Sequence, residues 1–361
     1  MTIESPLREK HEQAGAAMGV WFGAALPAGY GDFDSEYRSA RDAVAVVDTN
    51  FQLLAELTGP DRVRYLNAIT TASILDLEPG RSAIGLLLDS HAHILAELRT
   101  LALPDRLTVL SHAMARERTL ATLDRFIIMD DVTLTDRSGE FGSLALVGPG
   151  ALALARELTN LDLDAIGEGG HAEARVGAIA CRVLRACSLG LPGVEWIVGR
   201  EQLCELWELL ARSAARHGGG RAGYRAIEAL RLEAGLPWFG ADFDEHSIPH
   251  EAGLEQTHIS YTKGCYTGQE IVERVRSRGH VNRRLIGLAF TGAAIPGPGE
   301  PLSAGGATVG QVTSAAFSPA AGRVLGLAYL RREFQAPGSR VTWAGGEAEA
   351  IALPLAPSSP L

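Results

Sequence analysis

At 361 residues, 46% hydrophobic, 21% charged and 6% aromatic, the chain has ordinary globular composition and is long enough for two or three domains around a large buried core. A formal net charge of −10 argues against general nucleic-acid or membrane-surface binding. No apolar run approaches bilayer length, and an acidic start without a basic-then-apolar leader points to the cytoplasm.

Two segments echo each other along the chain. Leu53 to Pro60 reads as a strand ending in a Gly-Pro turn, followed by a helical stripe of Val63, Leu66 and Ile69. Leu144 to Pro149 repeats the pattern ahead of Leu152, Leu154 and Ala155. Between them, strand-like runs cover 84–89, 94–103 and 107–111, the first two joined by a hairpin turn around 90–93. A helix over 114–128 and a strand over 132–134 complete a ferredoxin-like α+β module. His91 and His93 fall in the hairpin turn, where solvated side chains are expected.

Further on, Leu203, Leu206, Trp207 and Leu210 form one helical stripe, and Ile227, Leu230 and Ala234 another. Gly218 to Gly223 matches G-x-G-x-x-G, but it follows a helix rather than a strand and reads as a linker. His246 and His250 have i, i+4 spacing, yet Pro249 argues against a regular helix and so against a metal site. From Arg284 onward, short β-prone runs alternate with Gly/Pro turns, as in a small β-barrel, and the last six residues read as a frayed tail.

Four cysteines include no C-x-x-C pair, which leaves no sign of a zinc knuckle or redox dithiol. Cys181, Cys187 and Cys204 lie on core-type patterns. Cys265 differs. It sits in Lys263-Gly264-Cys265-Tyr266-Thr267-Gly268-Gln269-Glu270, just before a helix start. Thr267 and Glu270 read as a capping box, with Ile271, Val272 and Val275 as the apolar stripe and Arg274 paired to Glu270. Unpaired N–H groups at that helix end, together with Lys263, would favour a thiolate at Cys265.

The order of motifs over 227–254 carries a resemblance. Arg231-Leu232-Glu233-Ala234-Gly235-Leu236, then Phe239-Gly240-Ala241-Asp242, then Pro249-His250-Glu251-Ala252-Gly253-Leu254 resemble the T-protein (aminomethyltransferase) of the glycine cleavage system. Pro6-Leu7, His11, Gly15-Ala16, Trp21-Phe22-Gly23, Tyr30-Gly31 and Pro79-Gly80-Arg81 agree with that family. The octet at 263–270 is similar to the YgfZ-type branch of this superfamily, folate-binding proteins that support iron–sulfur cluster assembly or repair.

The resemblance implies an α+β protein with a T-protein-like three-domain arrangement of ferredoxin-like modules and a C-terminal β-barrel. Its expected parts are a discontinuous folate-binding domain (1–50 and 137–283), a ferredoxin-like module (51–136) and the barrel (284–361). Tetrahydrofolate or a one-carbon derivative is the implied cofactor. Glu251 would grip the pterin as a bidentate acceptor, and Arg276, Arg278, Arg283 and Arg284 would hold the anionic tail.

The family's G-G-x-x-D-D-L segment matches 92–98 here, which puts Ala96 at its catalytic aspartate, with Glu97 on the opposite face of the strand. Glycine-cleavage chemistry is thereby disfavoured. The implied role is tetrahydrofolate-dependent support of iron–sulfur client or assembly proteins, with no nucleic-acid or membrane partner. Cys265 is its candidate reactive thiol, supported by Lys263, Gly264, Tyr266, Gly268, Gln269 and Glu270. The alternatives are a folate-dependent aminomethyl or methyl transferase and a non-catalytic folate-sensing adaptor, which leaves open whether the protein is an enzyme.

Overall fold

The computed structural model describes residues 2–354, so the expected tail at 356–361 lies outside the described residues. The first block of the chain holds Ile3–Glu4 (β1), Arg8–Gln13 (α1), Ala17–Trp21 (β2), Ala24–Gly29 (β3), Phe33–Asp42 (α2) and Ala45–Asp48 (β4). β1, β3 and β2 make a small three-stranded sheet, whereas β4 joins a larger one. Asp32 caps α2 by accepting from the Ser35 N–H at 3.2 Å.

The second block is Gln52–Thr58 (β5), Arg62–Ile69 (α3), Ser82–Leu88 (β6), Ile94–Ala102 (β7), Leu107–His112 (β8), Arg116–Arg125 (α4) and Thr133–Asp136 (β9). Its five strands pair antiparallel in the order β6-β7-β8-β5-β9. The third block is Phe141–Val147 (β10), Ala151–Thr159 (α5), Leu163–Ile166 (α6), His171–Val176 (β11), Ile179–Leu184 (β12), Gly193–Gly199 (β13), Leu203–Arg216 (α7) and Gly220–Arg221 (β14). Its sheet runs β11-β12-β13-β10-β4-β14.

The two blocks repeat one plan: strand, helix, three-strand meander, helix, strand. Only β4, inserted beside β10, breaks the match in strand order. The echo in the sequence marks the start of each copy. Gly59 and Gly148 open both copies at φ +98° and +108°, and a Cβ at either would lie within 3 Å of a backbone carbonyl. Each copy has one strand more than the β-α-β-β-α-β of a ferredoxin-like module, because the hairpin extends into a meander. The stretch read as a glycine-rich linker supplies β14, which pairs parallel with β4.

Alternation along β7 sets its two faces. Ala96 and Leu98 are fully buried with Tyr65, Leu66 and Ile69 of α3 and Leu123 of α4. Glu97 and Arg99 point the other way and are only partly buried, while Leu95, the extra residue of a bulge opposite Leu87 and Leu88, packs against the same core as Ala96.

The last block begins with Tyr224–Glu233 (α8), Pro249–Ala252 (α9) and Gln269–Arg278 (α10). It ends in Arg283–Phe290 (β15), Pro301–Ala304 (β16), Ala307–Ser318 (β17), Arg323–Arg331 (β18), Arg340–Trp343 (β19) and Gly346–Ile351 (β20). These six strands close into a barrel in the order β15-β18-β17-β16-β19-β20. Closure removes the exposed edges that a short six-stranded sheet would otherwise carry. Arg231 of α8, wholly buried, pairs with Asp242, which also accepts from Thr313 and Ser314 of β17. That cluster ties α8 to the barrel. Among the described residues no helix is long and apolar enough to cross a membrane.

Candidate functional site

The meanders of both copies, the chain after α8 and the chain after α9 enclose a cavity of about 330 Å³. Its size and mixed lining suit a small organic ligand. Aromatic walls come from Phe51, Trp238 and Phe239, and the polar groups converge from four strands and two loops.

β7 contributes Glu97 and Arg99 on its cavity face. Glu97 Oε1 accepts from His258 Nε2 at 2.8 Å, and Glu97 Oε2 lies 3.8 Å from His112 Nδ1 on β8. Burial pushes the Glu97 carboxyl up. The hydrogen bond from His258, with the charges of His258 and His112, outweighs that and holds it below the usual carboxylate range. His112 is pushed down by burial, with Glu97 only partly offsetting it. Its Nδ1 is buried without a hydrogen-bond partner among the described residues. Arg99 forms no hydrogen bond or ion pair with any described side chain, which leaves an uncommitted cation in the wall.

β13 contributes Glu195, fully buried in an otherwise apolar strand. It accepts from Gln52 Nε2, from the Ser188 N–H at 2.8 Å and from Ser188 Oγ at 3.3 Å. Burial pushes its carboxyl above the usual range despite these donors. Gln52 Oε1 is buried with no partner among the described residues. The cavity therefore holds two carboxylates with opposed tendencies, one kept ionised and one inclined to keep its proton.

The geometry changes the reading of Ala96. Its methyl group is in the core under α3 and α4, and a longer side chain there would not reach the cavity. The carboxylate that does reach it is the neighbouring Glu97. Alanine at 96 therefore removes no acid from this site.

The residues singled out from sequence lie elsewhere. Glu251 turns to Arg283, whose Nε donates at 2.9 Å, and does not line the cavity. Arg284 pairs with Glu255 at 2.7 Å, and Arg276 lies over the Tyr261 ring at 4.1 Å with Glu273 at 3.4 Å. Arg278 is exposed in the last turn of α10. The run of arginines is thus largely neutralised by local glutamates, and none of the four lines the cavity.

Cys265 is exposed and also outside the cavity. Lys263 points away from it. Its Nζ donates to the carbonyls of Asn67, Thr70 and Ala72 at the end of α3, and burial pulls the amine down to about 8. Tyr266 is buried beneath Lys263. The capping box does not form. Gly268, not Thr267, is the N-cap of α10, at φ +83° and with no side-chain cap. Only glycine fits there, because a Cβ would come within 2.6 Å of the Asp89 carbonyl. Glu270 instead pairs with Arg274 at 2.6 Å, and Gln269 opens the helix.

Glu195, His258, His112, Gln52 and Arg99 were not legible as site residues. The available signals were a lone carboxylate within the apolar run of β13 and a histidine five residues before Lys263. Among the described residues, no group of three or more His, Cys, Asp or Glu is placed to hold a metal ion.

Comparison with known proteins adds to this geometry. The GCVT N-terminal domain profile matches residues 7–261, and the glycine cleavage T-protein C-terminal barrel domain matches residues 283–354. An aminomethyltransferase of Herpetosiphon aurantiacus is 30% identical over 91% of this chain and 90% of its own. Another, from Rubrobacter xylanophilus, is 29% identical over 91% of this chain and 87% of its own. The crystal structure of glycine cleavage system aminomethyltransferase T from Bartonella henselae superposes with a TM-score of 0.86 over 98% of both chains. At 23% identity that likeness establishes the fold. The chain belongs to the glycine cleavage T-protein family, whose members use tetrahydrofolate.

Proposed function

We propose that the cavity binds tetrahydrofolate and that the protein is a folate-dependent transferase of the aminomethyl or methyl type. The observation that carries this is the pair of opposed carboxylates, Glu97 and Glu195, in one aromatic-walled cavity with an uncommitted Arg99.

The residues fit a reduced pterin. Its 2-amino group and adjacent ring N–H form a donor pair that a carboxylate accepts in bidentate fashion. Glu195 takes that role here in place of Glu251: it is inclined to keep its proton when the cavity is empty, and the two pterin donors would favour its ionised form, with Gln52 Oε1 available to accept a further N–H. Arg99 is available to an oxo or carboxylate oxygen. Bound tetrahydrofolate would supply the nitrogen that carries a one-carbon unit. Glu97, held ionised, would accept or hold a proton beside it at Oε2. The objection drawn from Ala96 falls with its position in the core. This reading takes residues 1–50 and 137–283 as the folate-binding domain, 51–136 as the inserted α+β module and 284–361 as the barrel.

The test is calorimetric titration of the purified protein with tetrahydrofolate, followed by turnover of 5,10-methylenetetrahydrofolate with candidate amines. Binding lost in Glu195→Gln and turnover lost in Glu97→Gln support the reading. Failure of the intact protein to bind tetrahydrofolate would sink it.

A second reading is favoured by Cys265 in its octet: cytoplasmic support of iron–sulfur assembly or repair, as in the YgfZ-type branch. Its thiol faces solvent on a loop pinned by Lys263 and Tyr266, whereas Cys181 and Cys187 are buried and pushed up in pKa by burial. A single thiol does not hold a cluster, so any such contact would be shared with a partner. Complementation of cells lacking the native protein decides it. Loss of iron–sulfur enzyme activity in Cys265→Ala, with folate binding intact, favours this second role.

A further inference from the structure

We propose that His258 and Thr257 are positioning residues for Glu97, committing one carboxylate oxygen and leaving the other free beside His112. The inference rests on the folate cavity proposed above and deepens it.

The chain of contacts is short and directional. Thr257 Oγ1 lies 2.7 Å from His258 Nδ1, and His258 Nε2 lies 2.8 Å from Glu97 Oε1. Glu97, held ionised, can only accept, so the Nε2–H donates to its Oε1, and Thr257 Oγ1 meets Nδ1 on the other side of the ring. The His258 ring is nearly buried, and its own carbonyl accepts from Thr71 Oγ1 at 2.6 Å. Its base is thereby tied to the loop after α3. Thr71 Oγ1 also accepts from the Leu86 N–H at 2.8 Å, which fixes that anchor to β6.

Glu97 Oε2 makes no hydrogen bond to a described residue. His112 Nδ1, at 3.8 Å, is too far to bond and has no hydrogen-bond partner among the described residues. The His112 ring is stacked between Phe51 at 5.6 Å and Phe239 at 5.1 Å, which leaves it little room to close that gap. Glu97 therefore presents one defined oxygen rather than a freely rotating carboxylate. The charged and titratable groups around it are His258 from the loop after α9, His112 from β8 and Arg99 from β7 itself, with Glu195 on the wall formed by β13.

The experiment is a ¹³C NMR titration of glutamate carboxyls in the full-length protein, with Glu97→Gln identifying the signal. In the wild type the Glu97 midpoint is expected below the ordinary glutamate value. In His258→Ala it rises by roughly one pH unit or more, since burial is then less opposed. His258→Gln, whose amide N–H can replace Nε2–H, restores most of the wild-type midpoint, a rescue that a merely structural role does not produce. Thr257→Val moves it less and in the same direction. An unchanged midpoint in folded His258→Ala overturns the proposal. If that variant does not fold, an unchanged midpoint in Thr257→Val, altered at an exposed residue, does so instead. Tetrahydrofolate titration of the same samples separates the two levels. Midpoints that move as stated in a protein that binds no folate would support the positioning role and overturn the folate reading.

Discussion

Arg231 and Asp242 form an ion pair at 2.5 Å with both side chains wholly buried. Asp242 spends its remaining acceptor capacity on the Trp238 N–H, at 2.9 Å, and on Thr313 and Ser314 from the barrel. A buried pair with its other lone pairs filled is hard to break one side at a time. Asp242→Ala should therefore destabilise the protein by about 3–5 kcal/mol, leaving a buried guanidinium under the Trp238 ring with only Glu228, at 3.3 Å, as an acid partner. Urea unfolding followed by tryptophan fluorescence measures it. A loss below about 1 kcal/mol would mean that Arg231 finds another partner.

Glu195 should show the opposite balance. Because its folded-state pKa is raised, its contribution to stability is fully present below the unfolded value and is lost as pH rises through the folded one. Glu195→Gln is thus expected to raise the melting temperature at neutral pH and to leave it nearly unchanged near pH 4. The same change should weaken tetrahydrofolate binding by roughly ten- to a hundredfold, the worth of a charge-assisted pair. Parallel thermal scans and titrations check both halves.

Glu97 behaves as a depressed carboxyl, so its stabilisation is present above the ordinary glutamate pKa and is lost as pH falls through the lower folded value. The wild type should therefore lose stability on acidification more steeply than Glu97→Gln below about pH 4.5. Equal acid-side slopes in denaturant unfolding would contradict the sign of the shift.

Among the described residues Arg99 has no hydrogen-bond or ion-pair partner to lose. Arg99→Gln should leave unfolding free energy within about 0.5 kcal/mol of the wild type while weakening tetrahydrofolate binding about tenfold. Comparison with 6-methyltetrahydropterin, which lacks the anionic tail, identifies the oxygen that Arg99 reads. A loss confined to tetrahydrofolate points to the tail, and an equal loss in both points to the pterin.

Exposure sorts the thiols. Cys204 and Cys265 should alkylate in the native state, while the buried Cys181 and Cys187 should react only after unfolding. Timed iodoacetamide labelling with peptide mass spectrometry tests this. Native labelling of Cys187 would show that the cavity opens.

The sequence was most legible where local chemistry decides structure. Gly59-Pro60 and Gly148-Pro149 announced the two copies because each turn needs a glycine at positive φ. The barrel was visible from short β-prone runs between Gly/Pro turns. The site was far less legible, since its polar groups come from β5, β7, β8, β13, the loop before β13 and the loop after α9, and meet only through the sheets. Motif strength misled at Glu251: a conspicuous P-x-E-A-G-L supplied a structural ion pair with Arg283, while the buried acid Glu195 stood alone among valines and a tryptophan. Thr267 misled similarly, because a capping box is read from residue types, and a close approach to Asp89 gave the cap to Gly268. Adjacent letters at Ala96 and Glu97 belong to different environments, which only the direction of β7 could assign.

The repeated plan of the two copies has a consequence for how this site can change. β8 and β13 occupy the same place in their respective copies, and they deliver an imidazole, His112, and an acid, Glu195, to one chamber. The repeat thus supplies two equivalent strands, and each lends the chamber a different residue from a different register position. Each half keeps its own sheet and helices, so a new ligand can be accommodated by altering one wall while the other preserves the chamber.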